Sequence, residues 1–558
     1  MRSRIIMNKI KTILQHPVFI LCIYFIIGMP LLIIYQHNFS TNDTFQYLSL
    51  ARKYDEGNFS DAINGFISPM MIWLLVPIIK LNIDPILSCK IVELIIGGLV
   101  LIYLNRITFK IIENYIVRIC LMFAFIPVVL SFALLYISSD LLFLAVLLIY
   151  LDLLLNSNYS DDKMSIKLGI LGGLLYLAKS FGLYFFLVHL VIIYLLKYFK
   201  ERKTEVYFSW KPLFKSLLIF FLICSAWIIP LSIKYHAFTI STGGSNLFKS
   251  IGPDYFPDKD MVFHHPELNN GLYPPTNSTA VSVWEEPNSI AMNSWSPFSS
   301  GDNFRHYLKV IGRNISSIYY HDFQKQAGVL FIVLFLLFIF FTENPLKKLP
   351  FVFYLLLFTY LLVSLAMSLI YYLPRYTMIS QFLIIFMIAV LSETIITQKL
   401  VLNKTGFIFL GIALILMIKR PVKEILLLED TELKSGQIME IIKHPRATLK
   451  ASLKRYDDHY EVMEKLRQIP DFKGRIASHG GDDVYKYVSM ICYYLRLPYY
   501  GELPDKVIAE TADKQLKQYD IDYYLDENPS AEDESYLLHN SKRIFTDMKT
   551  GLVVYKLK

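Results

Sequence analysis

Long apolar runs separated by short polar loops occupy the chain from its start to residue 418. A helix needs about 20 apolar residues to cross the hydrocarbon core of a bilayer, and several runs reach this length. The runs cover residues 18–35, 85–104, 116–137, 141–155, 168–196, 216–233, 327–342, 349–373, 376–391 and 406–418. This pattern predicts a multi-pass α-helical membrane protein.

The charges of the loops predict how the chain is threaded. Short cytoplasmic loops carry an excess of Lys and Arg; the N-terminus is basic, whereas residues 36–68 carry more acidic than basic residues. The run 168–196 lies between two basic loops and therefore needs an even number of crossings. We predict two short helices that turn at Lys179-Ser180-Phe181-Gly182, with one long helix as the alternative. The total is about eleven spans, with the N-terminus cytoplasmic and the C-terminus outside.

Two domains follow from this path. Residues 1–419 form the transmembrane domain, whose outer loops are residues 36–68 and 234–326. Residues 420–558 are more charged and are predicted to form an extracytoplasmic soluble α/β domain. Two segments of the outer loops predict helices along the membrane surface: Ser68–Leu81 and Asp302–Phe323.

Helical and strand-like segments alternate in the C-terminal domain. The predicted helices are Glu432–Gln468, Asp482–Leu495 and Val507–Gln518, and the predicted strands are Arg475–Ser478, Ile521–Leu525 and Leu552–Leu557.

The composition agrees with a membrane protein and excludes several other classes. Of the 558 residues, 54% are hydrophobic and 18% are charged, and the mean hydropathy is +0.42. Soluble domains average about 25% charged residues. The net charge of +8 comes from Lys and Arg in short loops, so it does not predict nucleic-acid binding. The five cysteines form no Cys-x-x-Cys pair, so neither a disulfide framework nor a zinc site is predicted.

Asp43 and Asp140 lie just outside apolar runs, on the same predicted side of the membrane. An ionised carboxylate near the bilayer surface can accept a proton from a hydroxyl or amine. Two carboxylates in one pocket could also bind a divalent cation. Helix capping explains either residue equally well.

Lys179 and Arg375 are cations between apolar runs, on the same predicted side. Such a group must find an anionic partner or extend to water. The guanidinium of Arg375 suits bidentate contact with phosphate. Trp295, in the second outer loop, can stack on a sugar ring or anchor the loop.

The ordered set of these residues resembles the GT-C glycosyltransferases that use polyprenyl-phosphate sugars, among them the protein O-mannosyltransferases and the lipid A aminoarabinose transferases. The resemblance covers roughly residues 17–395. The matching segments are Asn42-Asp43-Thr44-Phe45-Gln46-Tyr47-Leu48-Ser49-Leu50-Ala51-Arg52, Ser68-Pro69-Met70-Met71-Ile72-Trp73-Leu74, Ser139-Asp140-Leu141-Leu142-Phe143, Gly172-Gly173-Leu174-Leu175-Tyr176-Leu177-Ala178-Lys179-Ser180 and Arg375-Tyr376.

The resemblance implies a GT-C fold and a mechanism. Asp43 would be the general base, Asp140 would bind the acceptor or a divalent metal cation, and Lys179 and Arg375 would hold the phosphate of the donor. A single displacement would transfer a hexosyl or pentosyl group with inversion. Further substrate contacts would come from Tyr47, Trp295, Arg305 and Tyr376.

The expected partners are a polyprenyl-phosphate sugar, an envelope glycan, lipid or protein as acceptor, and the lipid bilayer. The expected location is the plasma membrane, the inner membrane of a bacterium. Two other functions stay open at this point: a transporter or flippase of lipid-linked sugars, and a non-catalytic partner in envelope polysaccharide synthesis. The transferase hypothesis requires Asp43, Asp140, Lys179 and Arg375 to meet in one cleft.

Overall fold

The structure is a computed structural model in which a bundle of apolar helices carries a small α/β domain. It describes residues 13–39, 43–156, 161–201, 209–261, 263–264, 271–324, 327–397, 403–427, 445–480, 482–503 and 510–557.

The helices of the first part differ widely in length. They are α1 (Pro17–Ile34), α2 (Asp43–Asp55), α3 (Phe59–Ala62), α4 (Pro69–Ile79), α5 (Pro85–Ile111), α6 (Tyr115–Leu135), α7 (Asp140–Leu154), α8 (Asp162–Ala178), α9 (Phe181–Glu201), α10 (Lys211–Lys234), α11 (Gly243–Ser250), α12 (Gly301–Ile318), α13 (Gly328–Phe341), α14 (Pro345–Lys348), α15 (Phe351–Leu369), α16 (Thr377–Thr397) and α17 (Asn403–Leu427). Single turns of 3-10 helix lie at Val283–Glu285, Pro287–Ser289 and Pro374–Tyr376, and a π-helix lies at Tyr319–Gln324.

The prediction of a multi-pass helical membrane protein is confirmed. All the predicted spans coincide with helices. Among the described helices, however, seven are long and apolar enough to cross a membrane, or eight if the bent pair Gly301–Gln324 and Gly328–Phe341 forms one span. The 15-residue helix α7 illustrates the difference, because it rises only about 22 Å against a hydrocarbon core of about 30 Å.

The break predicted within residues 168–196 is confirmed. Helix α8 ends at Ala178, Lys179 has extended backbone, and α9 begins at Phe181. The N–H of Gly182 donates to the carbonyl of Lys179 at 2.7 Å. A Cβ at Gly182 would overlap the carbonyl group of Leu175, so the chain can turn this tightly only with glycine there.

The predicted surface segments also form helices. Pro69 and Ile79 bound α4, which packs against α2, and α12 covers most of the segment from Asp302. Nine of the 13 residues of α2 are buried.

The C-terminal part is a five-stranded mixed sheet with helices, so the predicted α/β character is confirmed. Its elements are α18 (Pro445–Arg467), β1 (Ile476–His479), α19 (Asp482–Leu495), β2 (Tyr499–Glu502), α20 (Glu510–Gln518), β3 (Tyr523–Glu527), α21 (Ala531–Asn540), β4 (Lys542–Thr546) and β5 (Leu552–Lys556). The strand order is β2-β1-β3-β5-β4; β1 runs parallel to β2 and β3, and β5 runs antiparallel to β3 and β4.

The sequence analysis did not predict β2, β4 and α21. The two strands are four and five residues long and lie at the edges of the sheet, and β4 is mostly exposed, so neither shows a clear apolar alternation. The starts of two predicted helices, residues 432–444 and 507–509, lie outside the described residues.

The C-terminal part packs on the helical part around the start of α5. Asp84 caps α5 by accepting the N–H groups of Ile86 and Leu87 at 3.0 and 3.1 Å. The same carboxylate accepts the hydroxyl groups of Tyr460 and Tyr494 at 3.1 and 2.6 Å. One acidic residue therefore holds α5, α18 and α19 together.

Replacing Gly182 with Ala should destabilise the turn that presents Lys179, because the new methyl group meets backbone atoms that cannot rotate away. Overpacking of this kind costs about 1–3 kcal/mol. We expect a lower thermal unfolding temperature for Gly182→Ala in detergent. The matched control is Gly244→Ala, where no atom lies within 4 Å of the added Cβ. Equal unfolding temperatures for the two variants would contradict this account of the turn.

Candidate active site

Four charged side chains from four separate parts of the sequence meet at one end of the helical bundle. Asp43 begins α2, Asp140 begins α7, Lys179 lies between α8 and α9, and Arg375 lies in the turn between α15 and α16. Because these groups contact one another, the helix ends that carry them share one face of the bundle. The C-terminal part lies on that face too, since the guanidinium of Arg52, in α2, donates to the carbonyl of Tyr493 at 2.8 Å.

The charges form a continuous chain of ion pairs. Nη1 of Arg375 donates to Oδ2 of Asp43 at 2.8 Å, and Nε of Arg375 lies 3.6 Å from Oδ2 of Asp140. Nζ of Lys179 forms an ion pair with Oδ1 of Asp140 and lies 4.0 Å from the ring centroid of Tyr376. Two carboxylates therefore balance two cations within one cleft.

The two carboxylates differ in their access to solvent. The side chain of Asp43 is 36% exposed, whereas that of Asp140 is 6% exposed. A molecule entering the cleft can therefore reach Asp43, while Asp140 lies beneath the two cations.

Nε of Arg375 is buried, and the described part of the chain offers it no hydrogen-bond partner. Burial alone would lower the pKa of Arg375, but Asp43, Tyr376 and Asp140 raise that pKa above its ordinary value. The guanidinium is therefore charged, and among the described residues its Nε–H makes no hydrogen bond although it lies 3.6 Å from Asp140.

Tyr47 contacts Ser139, the residue that directly precedes Asp140. Its hydroxyl donates to Oγ of Ser139 at 3.4 Å and accepts the N–H of Ser139 at 3.3 Å. Burial, and then the charge of Asp43, raise the pKa of Tyr47, so its hydroxyl is neutral.

Glu93 is a residue that the sequence analysis missed. Its Oε1 accepts the N–H of Ser138 at 3.1 Å, and Oγ of Ser138 donates to Oδ2 of Asp140 at 3.0 Å. Glu93 thus fixes the loop that orients Asp140. The available signal was the presence of Lys90 and Glu93 within an apolar run, because ionisable residues inside a membrane segment mark functional positions.

The contacts of Trp295 and Arg305 described here are with Phe248 and Asp302 rather than with the four charged residues of the cleft. Trp295 stacks on Phe248 with ring centroids 5.0 Å apart, and its Nε1 donates to the carbonyl of Phe248 at 2.7 Å. Arg305 is exposed on α12 and pairs with Asp302 at 3.1 Å. The contacts of Trp295 anchor the second outer loop, which was one of its two predicted roles.

The carboxylates face cations rather than a shell of metal ligands. Within the ranges that the structure describes, no group of three or more His, Cys, Asp or Glu side chains is arranged to hold a metal ion. Both oxygens of Asp140 are engaged, one by Lys179 and the other by Ser138 and Arg375. A divalent cation at Asp140 would require these groups to move.

No protein-family model and no curated protein matches the chain. Among solved structures, it is similar to ArnT from Cupriavidus metallidurans bound to undecaprenyl phosphate, with 11% identity, a TM-score of 0.45, and coverage of 96% of this chain and 98% of that chain. It is also similar to the oligosaccharyltransferase of Archaeoglobus fulgidus in complex with Zn and sulfate, with 10% identity, a TM-score of 0.43, and coverage of 93% and 70%. These values describe a distant likeness in overall fold.

Proposed function

We propose that this protein is an integral-membrane glycosyltransferase of the GT-C type. It would move a sugar from a polyprenyl-phosphate donor to an acceptor on the extracytoplasmic face of the plasma membrane. The observation that supports the proposal is the cleft in which an accessible carboxylate, Asp43, lies in one chain of ion pairs with the cations Arg375 and Lys179.

Asp43 is proposed as the general base. As the acceptor hydroxyl or amine attacks the anomeric carbon, a new bond to that carbon forms and the bond from that carbon to the phosphate oxygen breaks. The acceptor proton passes to Asp43, and polyprenyl phosphate leaves. One in-line displacement of this kind inverts the configuration at the sugar carbon.

Arg375 and Lys179 are proposed to bind the phosphate of the donor. The buried Nε of Arg375 has a hydrogen to donate, and a guanidinium suits two phosphate oxygens at once. Lys179 adds a second positive charge from the other side of Asp140. In this arrangement Asp140 positions both cations.

Binding of the donor would also release Asp43 from its ion pair with Arg375. Arg375 is paired with Asp43 at 2.8 Å. A phosphate group competes for the same guanidinium and would draw it away from Asp43. The carboxylate then becomes free to accept a proton when the donor is in place.

The position of the charges favours this function over a transporter. Transporters commonly bind substrate near the middle of the membrane, on interrupted helices. Here the charged groups lie where helices begin or end, on the face that carries the C-terminal part.

Replacing Asp43 with Asn should lower the rate of sugar transfer by about 100-fold or more, the usual contribution of a general base. Asn keeps the shape of the side chain and one acceptor oxygen, so a capping role would survive the change. The assay is transfer from labelled polyprenyl-phosphate sugars to envelope extracts by the purified protein.

The matched control is Asp55→Asn at the other end of α2, because Asp55 has similar exposure and pairs only weakly with Lys80, at 3.7 Å. Transfer by Asp43→Asn at the wild-type rate would refute the role of Asp43. Donor binding without transfer to any acceptor would favour the transporter.

Replacing Arg375 with Lys should weaken the binding of polyprenyl phosphate about tenfold or more, because the charge is kept but the second hydrogen bond to the phosphate is lost. Binding is measured as retention of labelled polyprenyl phosphate by the purified protein. Arg467→Lys is the control, since Arg467 lies in the C-terminal part and pairs with Glu464 at 2.7 Å. Unchanged affinity in Arg375→Lys would contradict bidentate contact.

A further inference from the structure

A polar cavity lies where three outer segments of the protein meet. Its volume is about 190 Å³. The walls come from the end of α2, from the second outer loop at residues 278–281, and from residues 496–498 of the C-terminal part. Pockets for whole small molecules measure about 300–1,000 Å³. This cavity therefore suits a single polar group rather than a complete sugar nucleotide or glycan.

The cavity is separate from the cleft of Asp43. Arg52 follows Asp43 by nine residues on α2, which corresponds to about 14 Å along the helix axis and half a turn around it. The two sites thus lie on different sides of the same helix.

The lining carries an excess of positive charge. Lys53 forms a buried ion pair with Glu285, and Arg496 pairs with Glu56 at 2.8 Å, so these cations are already balanced. Arg52 differs from both. Over the ranges that the structure describes, no carboxylate lies within ion-pair distance of its guanidinium, which donates to the carbonyl of Tyr493 and lies 4.4 Å from the ring centroid of that residue.

Burial lowers the pKa of Arg52, and the charge of Arg496 lowers it further, whereas Tyr493, Glu56 and Glu285 oppose this. A guanidinium that has lost part of its water and has no carboxylate partner is stabilised by an anion that enters beside it.

The backbone at Arg496 supports a role for its side chain. Arg496 follows the last residue of α19 and has a φ of 56°, the left-handed conformation that usually ends a helix. Glycine and Asn adopt this conformation most easily, and most of the other described non-glycine residues with positive φ are Asn or Asp. An arginine is disfavoured there, so its presence needs a reason beyond the turn.

We propose that this cavity binds a phosphate or carboxylate group, with Arg52 as the main contact and Arg496 at its mouth. The bound anion would join the C-terminal part to α2 through these two guanidinium groups. This site is independent of the sugar-transfer proposal and does not require it.

The test uses the full-length protein in detergent and inorganic phosphate as the probe. The unfolding temperature is measured with increasing phosphate, with chloride added to keep the ionic strength constant. Because a ligand that binds only the folded state raises the unfolding temperature, we expect a saturable increase in the wild type. Arg52→Gln should weaken the apparent phosphate affinity at least tenfold, whereas Arg52→Lys should weaken it less.

Two further variants separate this cavity from the active-site cleft. Lys179→Gln removes a cation of the cleft and weakens any phosphate binding there, but the response that depends on Arg52 should remain. Lys80→Gln removes an exposed lysine that pairs with Asp55 at the end of α2, and it should keep the full response. A response that is lost in Lys179→Gln but kept in Arg52→Gln would place the anion in the cleft and overturn the proposal. A response that neither variant changes would overturn it too, as would the absence of any saturable response in the wild type.

Arg496→Gly provides a check that does not depend on loss of folding. Glycine relieves the left-handed backbone, and the lost ion pair with Glu56 is largely exposed, so the unfolding temperature without phosphate should not fall. Its phosphate affinity should still be lower than that of the wild type. Acetate and a short-chain phosphatidic acid, used in place of phosphate, distinguish a carboxylate from a phosphate and a free anion from a lipid headgroup.

Discussion

The ion pair between Arg375 and Asp43 is the interaction on which the proposed site depends. These residues are 332 positions apart in the chain, and their contact joins the start of α2 to the turn between α15 and α16. A half-buried guanidinium at the edge of an apolar bundle is costly unless an anion balances it. With Asp140 and Lys179 the count is two negative and two positive groups, so the cleft can be assembled from distant segments without leaving a buried charge alone.

The helix ends that carry Asp43, Asp140 and Lys179 each favour the charge found there. Asp43 and Asp140 lie in the first turns of their helices, where exposed N–H groups stabilise a carboxylate. Lys179 directly follows the end of α8, where the carbonyl groups stabilise a cation. The sign of each of these charges thus matches the helix end that carries it. Local preference and long-range pairing agree, and Glu93 adds a hydrogen bond that fixes the loop before Asp140.

Apolar runs and loop charges predicted most of this framework, including the break at Lys179, because hydrophobicity and the bias of Lys and Arg are properties of single segments. They did not reveal which runs form helices shorter than a full span, such as the 15-residue α7. Sequence could not reveal that Arg375 bridges both carboxylates, because pairing depends on how helices pack. For the same reason it missed Glu93 and the position of Arg52 in a cavity shared by three segments.

The balance of charge also explains how binding and chemistry can be coupled in the proposed reaction. A donor phosphodiester carries one negative charge, and the departing phosphate monoester carries up to two. As the acceptor proton reaches Asp43, that carboxylate loses its charge while the phosphate gains one. The total charge of the cleft therefore stays nearly constant, and Arg375, already drawn to the donor phosphate, stays with the leaving group. Cations that are already in place when charge moves in this way need little reorganisation, which is the main source of electrostatic catalysis.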